Sequence, residues 1–491
     1  MAWLAAILVI FVGLALAYAR AVPPWQAPDE PAHYNYVKFL AEHGQLPVLQ
    51  PGDYPARLVP LAPKPTVAPD IALFRYESHQ PPLYYAVAAV LYRLGAGVFA
   101  LRALSVFFGA LLLVVAYFCV RLIFPRWPAG ALAAAAFVGF IPMHLFMAAS
   151  IENDTLAELV LSSLLLLYLA AVHGKAIPGL WIATGLLLGA ALLTKATIYL
   201  PAGLLTAGII AVGAGFKPAR SPEAKPALGS FEPARSPEAK PASGEFETRP
   251  YRAVLAVGLT AAIVSGWWFV RNGLIYGWTD PAGLGRQDAV NGAQLHQGAL
   301  TGTTVSHFVV TTFHSFWAQF GWMTVPVSNA TYAKLWAFSL LVAGGLAALA
   351  FRARWSIVKG TPAPIPMAAA AERPVPPAGV DPPETAPPGL GTRDSGPGTW
   401  DSGPLLWSLA GLLAVWLSVV ANLMVYNLKF VQAQGRYLFP ALVPIALAVV
   451  CGIAGLFPRR LQTAALGLLC LGLVWFTLLS LRHDIIPAFT P

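Results

Sequence analysis

Apolar residues fall along this chain in blocks of about 20, the length that crosses ~30 Å of membrane hydrocarbon as a helix. Short polar turns and four longer polar segments separate the blocks. The pattern predicts an all-α integral membrane protein with about eleven transmembrane helices. They lie near residues 2–19, 99–120, 129–148, 155–172, 178–194, 197–215, 253–270, 332–351, 405–426, 438–456 and 461–481.

Composition excludes an ordinary soluble domain. Of the residues, 57% are hydrophobic and 11% charged, against about 25% charged in soluble domains. The net charge of +9 could suggest nucleic-acid binding, but the basic residues mostly flank apolar blocks, as in oriented membrane proteins. We therefore predict no nucleic-acid partner. The three cysteines, Cys119, Cys451 and Cys470, lie inside apolar blocks and have neither disulfide nor metal-site spacing.

The basic residues also predict an orientation. With the N-terminus in the cytoplasm, the inner ends of the spans carry Arg121, Arg126, Lys175, Lys217, Arg252, Arg352, Arg354, Arg459 and Arg460. The positive-inside rule favours this arrangement, which predicts a multi-pass protein of the cytoplasmic membrane with loops 20–98 and 271–331 outside. The first span ends Ala-Tyr-Ala-Arg-Ala, as a cleavage site can, but it lacks a basic n-region, so we expect it to remain a span.

The polar inserts divide the chain into three transmembrane modules, 1–216, 251–352 and 405–491. Segment 217–250 contains a 15-residue duplication, KPARSPEAKPA followed by EPARSPEAKPA, and segment 353–404 is rich in proline. Such compositions bury too little apolar surface to fold, and Pro-rich segments form extended connectors. We predict two disordered cytoplasmic linkers without chemistry of their own.

The outer loops are aromatic and rich in acidic, amide and histidine residues, so any chemistry is expected there. Asp29, Glu30 and His33 follow the first span, and Glu77-Ser78-His79 precedes an apolar stretch, 82–98, that is short for a span and predicts an interfacial helix. A carboxylate at this boundary can act as a base toward a polar acceptor. Alternatively, Asp29 and Glu30 simply cap a helix over 31–43.

Eight motifs in order resemble the GT-C membrane glycosyltransferases, which include protein O-mannosyltransferases and lipid A aminoarabinose transferases. The resemblance is closer still to a related, poorly characterised group of bacterial membrane proteins. The motifs are PDEPAHYNYVKFLAEHGQLP (28–47), SHQPPLYYA (78–86), ALRALSVFFGALLLVVAY (100–117), SIENDTLAE (150–158), LLTKAT (192–197), VRNGLIYG (270–277), FWAQFGW (316–322) and QGRYLFPALVPIAL (434–447). They cover most of the chain except the linkers and the last span.

The resemblance implies an enzyme that passes a sugar from a polyprenyl-phosphate carrier to a lipid, glycan or protein acceptor on the outer face, with inversion. Asp29 would be the general base, with Glu30 as the fallback. The phosphate leaving group is already a stable anion, so a cationic clamp could replace a general acid.

Arg436 is the first candidate for this clamp, since its planar fork matches phosphate oxygens, and Lys195 is the second. An ion pair within the protein or snorkelling to the interface is the alternative for each. Glu152 and Asp154 would line the substrate cavity, although Asp154 could simply cap its helix. Arg271 and Asn272 would orient the second outer loop, and the remaining predicted substrate-binding residues are His33, His79, Gln80, Gln434 and Tyr437.

We predict no cofactor and no metal. His33 and His79 with Asp29 and Glu30 could bind a divalent cation, as in some GT-C oligosaccharyltransferases, but no metal-ligand spacing is present. Two other classes stay open: a transporter or flippase of lipid-linked sugars, for which broken spans and internal repeats are typical, and a non-catalytic envelope scaffold.

Overall fold

A computed structural model describes residues 1–57, 70–213, 215, 249–295, 301–359 and 402–489. Most of these residues are helical, and their one sheet is a short antiparallel pair of strands, β1 (Gln319–Phe320) and β2 (Val325–Pro326). The prediction of an all-α multi-span membrane protein is confirmed. The duplicated segment (217–248) and residues 360–401 of the Pro-rich segment lie outside the described residues.

The N-terminal half contains nine helices. They are α1 (Ala2–Ala21), α2 (Glu30–His43), α3 (Leu83–Arg93), α4 (Val98–Ile123), α5 (Pro128–Gly139), α6 (Pro142–Ala148), α7 (Asp154–Val172), α8 (Leu180–Leu192) and α9 (Tyr199–Gly213). One turn of 3-10 helix, Ala196–Ile198, leads into α9.

Eight further helices follow. They are α10 (Arg249–Tyr276), α11 (Leu284–Val290), α12 (Gly302–Trp317), α13 (Asn329–Lys359), α14 (Ser402–Lys429), α15 (Leu442–Leu456), α16 (Arg459–Leu479) and α17 (Ile486–Phe489). A 3-10 segment, Gly435–Ala441, precedes α15, and a π-helical turn, Ser480–Ile485, joins α16 to α17. Helix α13 continues to Lys359 and α14 begins at Ser402, so both helices extend beyond the predicted module boundaries at 352 and 405.

Each predicted apolar block coincides with a helix or a helix pair, but two of them are not full-length spans. Among the described residues, 9 helices are long and apolar enough to cross a membrane, or up to 10 if one bent pair counts as a span. That pair is α5 and α6, which meet at 64° because Pro142 cannot continue the preceding helix. Helix α8 has only 13 residues, about 20 Å at 1.5 Å per residue.

Small residues let the spans approach closely, as is common where helices pack in membranes. At the crossing of α13 and α15, a Cβ added to Gly345 would lie 1.8 Å from the carbonyl oxygen of Gly452. The outer sides of the bundle instead expose large apolar side chains, including Leu255, Ile263 and Leu274 on α10. A contiguous apolar surface of this kind suits lipid rather than water.

The predicted outer loops carry short helices. The first contains α2 and α3, close to the predicted limits of 31–43 and 82–98, and the second contains α11 and α12. Helix α2 ends at Gly44, whose φ of 68° is in the left-handed region that favours glycine. These loops pack together over the ends of α1, α7, α14 and α15.

Candidate active site

A cavity of about 350 Å³ opens at the end of the bundle where the two predicted outer loops meet. Its walls come from the first loop, the 3-10 turn before α9, α11, α14 and the 3-10 segment before α15. The apolar wall is formed mainly by α14. The polar lining residues are Asp29, His33, Glu77, His79, Gln80, Lys195, Thr197, Gln287, Asp288, Asn422, Tyr426, Lys429, Arg436 and Tyr437.

Asp29 enters this cavity from the turn before α2. It occupies the N-cap position, as the alternative interpretation expected, but its side chain makes no capping hydrogen bond, so its carboxylate is left for contacts in the cavity. Its Oδ1 accepts a hydrogen bond of 2.8 Å from the Tyr76 hydroxyl, and its Oδ2 pairs with Arg436. The Asp29 backbone has a φ of 64°, an uncommon conformation for a residue with a Cβ.

Arg436 approaches Asp29 from the opposite wall. The preceding residue is Gly435, where a Cβ would lie 2.2 Å from the backbone nitrogen of Phe316, so only glycine lets this segment pack on α12. Besides Asp29, the Arg436 Nη1 lies 3.7 Å from an oxygen of Glu152. Among the described residues, the buried Arg436 Nε has no hydrogen-bond partner, which leaves one donor available to a ligand.

Lys195 provides a second cation, paired with Asp154 at the first turn of α7. Both charged side chains keep a small exposed fraction, 13% and 16%. Burial lowers the pKa of Lys195, but the neighbouring Asp154 carboxylate outweighs it and holds that pKa above its ordinary value. The alternative that Lys195 and Arg436 form ion pairs within the protein is thus realised, and both side chains also line the cavity.

Two carboxyl groups near the cations have pKa values displaced in opposite directions. Burial raises the pKa of Asp29, but the charge and hydrogen bond of Arg436 outweigh it and hold the pKa below its ordinary value. Burial, together with the charge of Asp154, raises the pKa of Glu152 well above its ordinary value. Glu152 is 1% exposed and neither of its oxygens accepts a hydrogen bond, so its surroundings favour the protonated form, whereas Arg436 favours the ionised form of Asp29.

The cavity histidines are neutral at neutral pH. Burial lowers the pKa of His33, and it lowers the pKa of His79 to about 4. His33 Nδ1 lies 2.7 Å from the Tyr85 hydroxyl, and His79 Nδ1–H donates to the Tyr76 carbonyl at 3.1 Å. In the part of the chain that the structure describes, no group of three or more His, Cys, Asp or Glu side chains could hold a metal ion.

Glu30, the predicted fallback base, points away from the cavity. Its side chain is fully buried and binds the guanidinium of Arg102 at 2.7 Å through both oxygens. This placement separates two adjacent acids that the sequence could not distinguish. It also means that the suggested metal set of Asp29, Glu30, His33 and His79 is not assembled.

Of the other predicted site residues, Arg271, Asn272 and Gln434 do not line the cavity. Arg271 donates to the carbonyl oxygens of Leu46 and Pro47, at 3.1 and 2.7 Å, and to the side chain of Asn272. It therefore ties the end of α10 to the first loop. Gln434 precedes Arg436 but bonds to Gln432, whereas Gln80 and Tyr437 do line the cavity.

Several cavity residues were not among the predicted ones. Glu77 lines the cavity and accepts a 2.8 Å hydrogen bond from Gln80, and burial raises its pKa. At the rim, Lys429 pairs with Asp288 and so joins α14 to α11. Glu77 stands directly before a motif used in the sequence analysis, which was a usable signal; Lys429 and Asp288 are 141 positions apart and had none.

These features define a multi-pass helical membrane protein with a charged cavity at one end of its bundle. The chain belongs to the family described as "Predicted membrane protein (DUF2142)", whose model matches residues 69–361, more than half of the chain. The match includes Glu77, Glu152 and Lys195, whereas Asp29 and Arg436 lie outside it.

Two further comparisons concern curated proteins and solved structures. No curated protein matches this chain significantly. A crystal structure of ArnT from Cupriavidus metallidurans, bound to undecaprenyl phosphate, is similar with a TM-score of 0.46 and 15% identity, over 98% of this chain and 73% of that one. A likeness of this degree is no evidence of a shared activity.

Proposed function

We propose that this protein is a membrane glycosyltransferase, which moves a sugar from a polyprenyl-phosphate carrier to a hydroxyl acceptor at the outer face of the cytoplasmic membrane, with inversion. The observation that carries the proposal is the pairing of Asp29 with Arg436 across one cavity, beside the second cation Lys195. A carboxylate for a hydroxyl proton and two cations for a phosphate are what this transfer requires. The order of the sequence motifs supports the same class.

The apolar wall of the cavity suits a lipid-borne donor. Val419, Leu423 and Val425 of α14 line it, and Val425 is 67% exposed on the outside of the bundle, as is Leu428 at 63%. A polyprenyl chain can therefore lie along α14 in the membrane while its phosphate reaches Arg436 and Lys195. The acceptor would enter between the outer loops.

In the reaction, Asp29 removes the acceptor hydroxyl proton as the acceptor oxygen bonds to the anomeric carbon. The bond from this carbon to the phosphate oxygen breaks on the opposite side, its electron pair stays on phosphate, and the configuration inverts. Phosphate binding at Arg436 also draws that cation away from Asp29. Because the cation is what holds the pKa of Asp29 down, the carboxylate becomes more basic when the donor is bound.

Asp29 is a better candidate base than Glu30. When phosphate binds Arg436, one Asp29 oxygen would lose its ion pair. The Asp29 side chain is also 23% exposed. Glu30 is 0% exposed and its oxygens already accept hydrogen bonds from Arg102 and from two backbone N–H groups. A base must reach the proton that it removes.

The proposed orientation of the cavity is supported by the positions of the basic residues. Lys195 follows the C-terminal end of α8, Asp154 begins α7 and Arg436 lies just before α15. Arg121, Lys175 and Arg459 lie at the other ends of these or neighbouring helices. The positive-inside rule favours those ends in the cytoplasm, which would place the cavity outside.

Transport of lipid-linked sugars is a second candidate, favoured by one observation. His144 in the bent pair α5–α6 and Glu158 on α7 form a fully buried pair at 2.8 Å. Ionisable residues within spans and broken helices are typical of transporters. The pair lies one helical turn beyond Asp154, away from the cavity lining.

A reconstituted assay separates the two candidates. Purified protein in nanodiscs is given synthetic polyprenyl-phosphate sugars and a panel of hydroxyl acceptors, with release of polyprenyl phosphate followed by mass spectrometry. We expect glycosylated product of inverted configuration, and none from nucleotide-sugar donors. If no donor yields product while proteoliposomes move a fluorescent lipid-linked sugar between leaflets, the protein is a transporter.

A further inference from the structure

Beneath the candidate base lies a fully buried ion pair that does not touch the cavity. Glu30 and Arg102 are 0% and 2% exposed and face each other through two hydrogen bonds of 2.7 Å. Burying two charges is costly unless every donor and acceptor is satisfied. Their full set of contacts therefore indicates what the pair holds in place.

Arg102 uses all of its N–H groups. Apart from the two bonds to Glu30, it donates to the carbonyl oxygens of Ala19, Val22 and Pro23 at 2.7, 2.6 and 3.1 Å. A guanidinium has five N–H donors, and these five bonds account for them. The carbonyls belong to the last turn of α1 and the segment after it, so Arg102 fixes where the chain leaves the first span.

Glu30 is equally saturated. Besides Arg102 it accepts from the backbone N–H of Trp25 at 2.9 Å and from that of Ile151 at 3.2 Å. Trp25, like Asp29, has a left-handed backbone, with a φ of 72°. A residue with a Cβ keeps this conformation only where surrounding contacts impose it, and the bond from Trp25 N–H to Glu30 is such a contact.

The contacts of Glu30 and Arg102 reach the chain neighbours of the two carboxyl groups beside Arg436. Glu30 directly follows Asp29, which pairs with Arg436, and Ile151 directly precedes Glu152, whose oxygen lies 3.7 Å from Arg436. Glu30 is thus the chain neighbour of Asp29, and its side chain binds Ile151, the chain neighbour of Glu152. We propose that Glu30 and Arg102 are positioning residues that fix Asp29 and Glu152 on the two sides of Arg436.

The proposal rests on the proposed function where turnover is concerned. Its test therefore includes one experiment, chemical labelling of Arg436, that does not require sugar transfer. Phenylglyoxal modifies arginine, and peptide mass spectrometry reports the rate at Arg436 alone. In wild-type protein Arg436 is 6% exposed, pairs with Asp29 and lies 3.7 Å from Glu152, so it should react slowly. Glu30→Gln cannot accept all four bonds, and we expect Arg436 to be modified several times faster.

The matched control is Tyr168→Phe, which removes a partly buried 2.6 Å hydrogen bond to the Trp407 carbonyl at the other end of the bundle. It should leave the Arg436 modification rate unchanged. Equal rates in Glu30→Gln, Tyr168→Phe and wild type would overturn the proposal. If Glu30→Gln does not accumulate in the membrane, Arg102→Lys gives the same test, because a single ammonium cannot reproduce the five donors.

The second arm measures turnover. A displacement of the base by about 1 Å lowers turnover on the order of 10²-fold, so Glu30→Gln should lose turnover with little change in KM for the donor, and Glu30→Asp should recover part of it. If Glu30 acts through Asp29, the double variant with Asp29→Asn is no slower than Asp29→Asn alone. Multiplicative losses in the double variant would overturn the positioning role. If wild-type protein shows no transfer, the proposed function is overturned, and the labelling experiment alone decides whether Glu30 and Arg102 position Asp29 and Glu152.

Discussion

The two ends of the bundle contain different kinds of polar contact. At the cavity end, ion pairs join distant helices, such as Arg436 with Asp29 and Lys195 with Asp154. At the other end, contacts between the described helices include bonds between neutral groups, for example His173 with Ser408 at 3.0 Å and the Tyr168 hydroxyl with a carbonyl. Neutral bonds are enough to hold helices together, so the charges at the cavity end call for a different explanation.

That explanation is chemical rather than structural. Charged side chains at a membrane boundary are expensive to bury and are usually kept for binding or catalysis. The cavity end also contains groups that the fold leaves unsatisfied, namely the Arg436 Nε and the Glu152 carboxyl oxygens. The difference between the ends can be tested by experiments with expected effects of different size. The first asks on which side of the membrane each end lies.

The largest effect expected is all-or-none. In a background without the three native cysteines, a cysteine at Val290 should react with an impermeant maleimide in intact cells, because α11 borders the outer cavity. A cysteine at Ser230 should react only after lysis. The reverse pattern would put the cavity in the cytoplasm and remove the proposed outer-face reaction.

Replacing the candidate base should have the largest effect on turnover. Asp29→Asn keeps the size of the side chain but cannot take a proton, and loss of a general base slows reactions by about 10²–10⁴-fold. Donor binding should persist, since Lys195 and Arg436 remain. An Asp29→Asn protein that transfers sugar at the wild-type rate would refute the assignment. If Asp29→Asn stays active and Glu30→Gln is inactive, Glu30 is the base instead.

Replacing the candidate clamp should chiefly affect binding. Hydrogen bonds to charged groups contribute about 1.5–3 kcal/mol, so Arg436→Ala should weaken binding of polyprenyl phosphate by about 10- to 100-fold. Arg436→Lys should recover only part of it, because one ammonium replaces a two-pronged fork. Arg75→Ala, which removes an exposed arginine paired with Asp53, is the matched control, and equal affinities for both alanine variants would contradict the clamp.

The buried histidine predicts how stability depends on pH. The pKa of His79 is about 4 in the folded protein and 6.5 ordinarily, so below pH 6.5 the unfolded chain takes up a proton that the folded one does not. Stability should therefore fall as pH decreases from 6.5 towards 4, by about 3 kcal/mol from this group. Thermal unfolding of His79→Asn should show less of this loss than wild type, while exposed His43→Asn should show all of it; identical curves for His79→Asn and wild type would contradict the prediction.

The smallest effect is expected for the duplicated segment. Its polar, repetitive composition predicts a tether, so deletion of residues 219–247 should leave membrane insertion and turnover near wild type. Expression measured by immunoblot serves as the control for both. A large loss of turnover at normal expression would mean that the cytoplasmic side contributes to function.

The spans were predictable because each needs only a local property, about 20 apolar residues in succession. The same reasoning separated loops 20–98 and 271–331 from the spans and directed attention to Asp29, Lys195 and Arg436. It could not detect that Pro142 bends one block by 64° or that α8 is only 13 residues long, since hydropathy does not report where a helix stops.

What the sequence could not decide is which way a side chain faces and which partner it meets. Asp29 and Glu30 are adjacent and chemically alike, yet one lines the cavity and the other is sealed against Arg102. Arg436 meets Asp29 across 407 positions of the chain. Contacts at that separation follow from how the helices pack, because packing brings distant residues within hydrogen-bond distance and decides which carboxylate keeps a path to solvent. The sequence by itself determined the spans and the acids that could react, and only the tertiary structure decided which acid faces a cation in an open cavity.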